Sequence, residues 1–202
     1  MKKSWKRLVI DTATSHIYLS LVIDEQEMDN VYEMGLNNHS VTIMPQMERL
    51  LKRHELQLPD IDEVIVGIGP GSYTGVRIGV AIAKMIGYLN QIKIQTVSSL
   101  ALLASSADDD WILPLIDARR NNAYMGLYHF NGETLENRVV DTLANIEAFK
   151  KDHLGKAVIV TSGKPRIDRI IASDLLSEVA NIHELVPNYL QITEAERNRN
   201  LS

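Results

Sequence analysis

What most constrains the fold of this chain is a short plan that occurs twice. Residues Arg7 to Ile10 form an apolar run that stops at Asp11. The polar turn Thr12-Ala13-Thr14-Ser15-His16 follows, and the β-rich string Ile17 to Ile23 resumes. Apolar run, turn and second run in that order read as a strand–turn–strand hairpin. The same plan returns about 106 positions on, from Asp11 to Asp117: Trp111 to Ile116, Asp117, a polar turn from Ala118 to Asn122, then Ala123 to Tyr128. Strand-then-helix order also recurs after each copy. Such a chain folds as a duplicated α/β structure with a cleft between two lobes. Chance recurrence of a common apolar–Asp–polar string is the alternative reading.

The stretches between the copies read coarsely. A third strand is expected near Asn30 to Met34. From Ser40 to His54, Ile43, Met44, Met47, Leu50 and Leu51 recur at helical spacing, with Ser40 as N-cap and Pro45 predicting a bend or a late start. Glu63 to Ile68 is a buried strand, followed by a glycine-rich turn and a helix from Val76 to Asn90. A strand from Ile94 to Val97 and a helix capped by Ser98 or Ser99 complete the first half. Asp108-Asp109-Asp110 is the clearest seam, dividing an N-terminal lobe, 1–108, from a smaller C-terminal lobe, 109–202. The second lobe holds a helix over Asn145 to His153 and a strand over Ala157 to Thr161.

Composition narrows the function. The chain has 202 residues, 45% hydrophobic and 23% charged, the balance of a soluble globular protein with a sizeable core. Lys plus Arg number 21 against 26 Asp plus Glu, a net charge of −5, which argues against gripping nucleic acid by bulk positive charge. The absence of cysteine excludes disulfides, thiolate zinc sites, iron–sulfur clusters and cysteine nucleophiles. Met1 to Arg7 resembles the charged start of an export signal. Only Leu8, Val9 and Ile10 follow before Asp11, short of the ~7–15 apolar residues such a signal needs. The apolar run Ile78 to Met85 carries Lys84 and lacks membrane-spanning length. A cytoplasmic protein without a membrane partner is expected.

The most distinctive string is Gly67-Ile68-Gly69-Pro70-Gly71-Ser72-Tyr73-Thr74-Gly75-Val76-Arg77-Ile78-Gly79. Its glycines and the helix N-terminus behind them suit an anion cradle, with Ser72, Thr74 and Arg77 adding donors. They equally suit a tight turn that lets the next helix pack closely. Neither P-loop nor dinucleotide-loop spacing is present. Asp11, Thr12 and Thr14 are a candidate metal-and-nucleotide turn, though taken alone they read better as a local Asx or ST turn. The six histidines (His16, His39, His54, His129, His153 and His183) offer no pair at i, i+3 or i, i+4 for a metal on one helix face. No Gly-x-Ser-x-Gly elbow occurs. The helix Val76 to Asn90 is apolar nearly all round, and Gly79, Ala83 and Gly87 recur every four residues. That small-residue stripe admits a second helix, with Ser40 to His54 the nearest candidate. The methionine-rich face left over reads as a partner surface in preference to a helix buried beneath the second lobe.

Ile10-Asp11-Thr12-Ala13-Thr14, the glycine string and Ile116-Asp117-Ala118-Arg119-Arg120 together resemble the bacterial TsaB (YeaZ) family over nearly the whole chain. Pro187-Asn188-Tyr189-Leu190 with Ala195-Glu196 extends the resemblance to the C-terminal signature. The resemblance implies two ribonuclease-H-like lobes of the actin-like ATPase and sugar-kinase superfamily. It implies a part in making N6-threonylcarbamoyladenosine at position 37 of tRNAs that read codons starting with A. The implied role is that of a non-catalytic partner of the transferase TsaD, joined by the small ATPase TsaE. A homodimer forms when the partner is absent, and tRNA is met only through the complex. TsaD-type paralogues carry a His-x-x-x-His metal pair where this chain has Ser99 and Leu103, so neither metal nor cofactor is expected. A vestigial nucleotide site carries over to Asp11, Thr12, Thr14, Gly69, Gly71, Ser72, Asp117 and Gly163. The family's pairing surface carries over to Met44, Met47, Leu51, Gly79, Ile82, Ala83, Met85 and Ile86. The alternative is a stand-alone actin-like ATPase or small-molecule kinase built on Asp11, Asp117 and the glycine string. A metallopeptidase is remote without histidine pairs.

Overall fold

Side chains alternate across a strand, so the first strand, β1 (Lys6–Asp11), already divides the interior in two. Leu8 and Ile10 enter one core, and Val9 enters another on the opposite face. A computed structural model describes residues 4–35 and 39–190. Met1 to Lys3 and the Ala195-Glu196 part of the C-terminal signature lie outside the described residues.

β1, β2 (His16–Ile23) and β3 (Gln26–Met34) form an antiparallel meander. β4 (Glu63–Gly67) runs parallel to β1, and β5 (Lys93–Val97) parallel to β4. In the second sheet β6 (Trp111–Asp117), β7 (Asn122–Phe130) and β8 (Leu135–Asn145) repeat the antiparallel meander, and β9 (Val158–Val160) runs parallel to β6. The order β3-β2-β1-β4 of the first sheet is thus matched by β8-β7-β6-β9 in the second. The duplication is real, and both sheets carry the ribonuclease-H-like strand order. β8 escapes sequence reading because it is an edge strand whose one fully buried residue is Leu135, leaving no apolar alternation to detect.

Among the described residues, five α-helices cover the sheets. α1 (His39–Arg53) and α2 (Tyr73–Asn90) lie on one face of the first sheet, sharing a core with Leu8, Ile10, Leu19 and Val64. α3 (Ser99–Ala104) and α5 (Ile167–Ile171) fill the layer between the sheets, and α4 (Ile146–His153) covers the far face of the second. Ser40 sits inside the first turn of α1 and does not cap it. The late start expected from Pro45 is not taken either: Pro45 and Val41 both face solvent, where the carbonyl freed by the missing N–H meets water. α2 starts three residues ahead of Val76 because Ser72 caps it, its Oγ accepting from the Gly75 N–H at 3.3 Å.

The seam at Asp108 to Asp110 separates the sheets, yet the chain beyond Leu176 returns to the first. A short strand, β10 (Ser177–Glu178), pairs with β5, and the 3₁₀ turn Ile182–Glu184 packs on α2. The Asn188 N–H donates to the Ile68 carbonyl at 2.7 Å. No helix among the described residues is long and apolar enough to cross a membrane.

Candidate functional site

The glycine string serves close packing. A Cβ on Gly71 would overlap the Ala13 carbonyl oxygen, one on Gly75 would overlap that of Thr12, and one on Gly79 would lie 2.7 Å from Thr12 Oγ1. The α2 backbone therefore rests directly on the β1–β2 turn. Thr12 stitches the two together: its Oγ1 donates to the Gly75 carbonyl at 2.7 Å and accepts from the Gly79 N–H at 3.1 Å. Two donors of the loop are spent inward. Ser72 N–H reaches the Ala13 carbonyl at 2.7 Å, and Gly69 N–H reaches Ser99 Oγ at 3.1 Å. Thr12, Gly69, Gly71 and Ser72 hence belong to the contact between hairpin and helix.

The remaining nucleotide candidates divide. Asp11, Thr14 and Gly163 line a cleft between the sheets together with His16, Tyr32 and Ser99. Asp117 stays outside it, exposed on the β6–β7 turn with its Oδ1 accepting from the Arg119 N–H at 3.0 Å. The cleft has about 10 Å³ of room, on the order of one water. His16 stacks on Tyr32 with ring centroids 4.5 Å apart, the Gly163 N–H donates to Tyr32 Oη at 3.1 Å, and Lys164 pairs with Glu27 at 2.8 Å. Further ties hold the lobes together: Ser98 donates to Asp141, and Arg169 to the Ala107 carbonyl and Asp108. No group of three or more His, Cys, Asp or Glu among the described residues is placed to hold a metal.

Asp11 sits at the cleft floor, buried, with Oδ1 accepting from Ser99 Oγ at 2.9 Å and from the Ala13 N–H at 3.1 Å. Burial pushes its carboxyl from 3.8 to about 6, the hydrogen bonds offsetting only part of the effect. The folded state thus holds this proton more tightly than the unfolded chain does. Ionised Asp11 costs about 3 kcal/mol above pH 6, and stability recovers as pH falls from 6 towards 4. Urea midpoints measured across that window fall with rising pH in the natural chain relative to Asp11→Asn. Parallel profiles for the two proteins would refute the assignment.

The second candidate is the outer face of α2. Met47, Leu51, Ala83 and Ile86 are all buried in the first core, as is Gly79, so these five are corrected from docking residues to core residues. The reason is the direction of the small-residue stripe. Gly75 and Gly79 face the hairpin and Gly87 faces Ile94 of β5, so the stripe seats α2 on its own sheet and not on α1. Nor does α2 lie beneath the second lobe. Of the carried-over set, Met44 and Ile82 are half-buried and Met85 is exposed. Beside them lie Ile78, Ala81, Tyr88 and Leu89, the last 70% exposed. The spacing 78, 81, 82, 85, 88, 89 marks one helical face, legible in the sequence once the glycine stripe is assigned to the sheet. Lys84 is drawn aside, donating to the His183 and Leu185 carbonyls, both at 3.0 Å.

Comparison with known proteins decides the family. The family model of TsaD, tRNA N6-adenosine threonylcarbamoyltransferase, matches residues 31–195. The tRNA threonylcarbamoyladenosine biosynthesis protein TsaB of Bacillus subtilis (strain 168) is 34% identical over 218 residues, covering 94% of this chain and 95% of its own. The chain belongs to the TsaB (YeaZ) family. TsaB of Escherichia coli (strain K12) is 33% identical over 128 residues, 60% of this chain and 54% of its own. The crystal structure of YeaZ from Pseudomonas aeruginosa shares the fold, with a TM-score of 0.75 at 20% identity over 92% of this chain and all (100%) of that one. In this TsaB-family chain Ser99 and Leu103 both line the cleft, and the Ser99 hydroxyl is engaged by Asp11 and Gly69.

Proposed function

We propose that this chain is a non-catalytic scaffold subunit of the complex that makes N6-threonylcarbamoyladenosine in tRNA, working in the cytoplasm. It docks the outer face of α2 on the transferase TsaD, with the ATPase TsaE joining the pair, and forms a homodimer when TsaD is absent. The observation that carries the reading is the apolar face Ile78, Ala81, Ile82, Met85, Tyr88 and Leu89 left open on α2. A contiguous apolar face of this kind marks a protein partner. The closed cleft supports the non-catalytic part: its one buried carboxyl is engaged by Ser99, and its room is that of about one water.

Copurification with TsaD, followed by solution mass with and without it, tests the assignment directly. A strictly monomeric chain that ignores TsaD would overturn it. ATP and magnesium titrated into the isolated protein separate this reading from a stand-alone kinase. We expect no turnover; micromolar affinity with phosphate release would favour the kinase.

A further inference from the structure

We infer that the β6–β7 turn, Arg119-Arg120-Asn121, is a contact for RNA phosphates that this chain itself contributes to the tRNA-modifying assembly. The inference rests on the scaffold reading above and refines it, since that reading brings tRNA to the chain only through its partners. The three residues have φ of 68°, 53° and 61°, all left-handed. Such backbone crowds Cβ against the carbonyl, a cost that glycine avoids, asparagine tolerates and arginine bears in full.

The turn is held there from every side. Ala118 N–H donates to the Asn122 carbonyl at 2.9 Å, and Asn122 N–H to the Arg119 carbonyl at 3.0 Å. Asp117 accepts from the Arg119 N–H, and the Asn121 carbonyl accepts from the Ile146 N–H at 3.0 Å and Asn145 Nδ2 at 3.2 Å. The two arginine side chains are nevertheless exposed. Among the described residues neither guanidinium has a hydrogen-bond or ion-pair partner. Glu147, in the first turn of α4, pairs with Lys150 at 3.7 Å.

The internal repeat supplies the comparison. Ala13 and Thr14 hold the corresponding places in the first lobe, where Ala13 is buried under the glycine string, Thr14 is half-buried, and neither has a left-handed φ. The run of three left-handed residues is therefore particular to the second copy. In the second lobe no described residue covers the tip, and two exposed guanidinium forks stand on the hydrogen-bonded turn. Planar forks match phosphate oxygens, and phosphate contacts position a protein without reading sequence. On a chain of net charge −5 an RNA contact must be local, and this turn is a local basic point.

The test uses the full chain assembled with TsaD and a transcript of a tRNA that reads codons starting with A. In the Arg119→Ala/Arg120→Ala double variant, tRNA affinity should fall about tenfold or more, with pairing to TsaD intact. The slope of log affinity against log salt should become shallower by about one to two. Arg119→Gly/Arg120→Gly should lose the same affinity while melting about 2–4 °C higher, because glycine relieves the left-handed backbone. Unchanged affinity and slope, with the natural complex binding tRNA, would overturn the inference alone. Loss of TsaD pairing in the alanine variant would also overturn it, placing the turn against a protein carboxylate. A natural complex that neither binds nor modifies tRNA would take the scaffold reading down with it.

Discussion

Replacing Met85 and Leu89 with glutamate should abolish the pairing proposed for the outer face of α2 while the fold survives. Both side chains stand on the open face of α2, 43% and 70% exposed, so the isolated chain loses little by the change. Surface substitutions of this kind stay within about 0.5 kcal/mol of stability. Across a partner the balance differs. Two apolar side chains contribute about 1.5–3 kcal/mol each when buried, and a carboxylate forced into the contact adds a desolvation cost. Affinity for TsaD, and self-association in its absence, should fall by on the order of a thousandfold. Light scattering and capture on immobilised TsaD read both effects. Ile86→Glu is the contrasting variant: Ile86 is 1% exposed, and a charge there unfolds the protein. If the Met85/Leu89 variant pairs as before, the outer face of α2 is not the interface.

Gly75→Ala carries the largest expected loss of stability for the smallest chemical change. The added methyl group would overlap the Thr12 carbonyl oxygen, a backbone atom of the β1–β2 turn with no room to yield. Relieving the clash pushes α2 away from β1 and strains the bond from Thr12 Oγ1 to the Gly75 carbonyl. Overpacking of this kind costs about 3 kcal/mol, or roughly 6–12 °C in melting temperature for a chain of this size. Gly132→Ala is the control: no atom lies within 4 Å of its added Cβ, and only its φ of 94° opposes the change. A melting temperature for Gly75→Ala within about 2 °C of the natural protein would show that close approach is not what the glycine serves.

Local chemistry determined much of this protein before any packing was known. The hairpins around Asp11 and Asp117, a helix capped at Ser98 or Ser99 and the buried strand from Glu63 rest on periodicity and capping residues within a few positions of one another. Those signals survive folding because neighbouring residues supply both halves of each interaction. Tertiary structure decided the rest. It chose which side of α2 is interior, since a helix apolar all round carries no phase of its own until its glycines meet the Thr12 turn. It brought Tyr32, Gly163 and Lys164 across the cleft and laid Asn188 against Ile68, pairings whose partners lie far apart along the chain. It also buried the turn at Ala13 while leaving the matching turn at Arg119 in the open. Two copies of one local plan read alike as strand, turn and strand, and the sequence already shows the arginines of the second; only the neighbours decide that one turn is packed over and the other exposed.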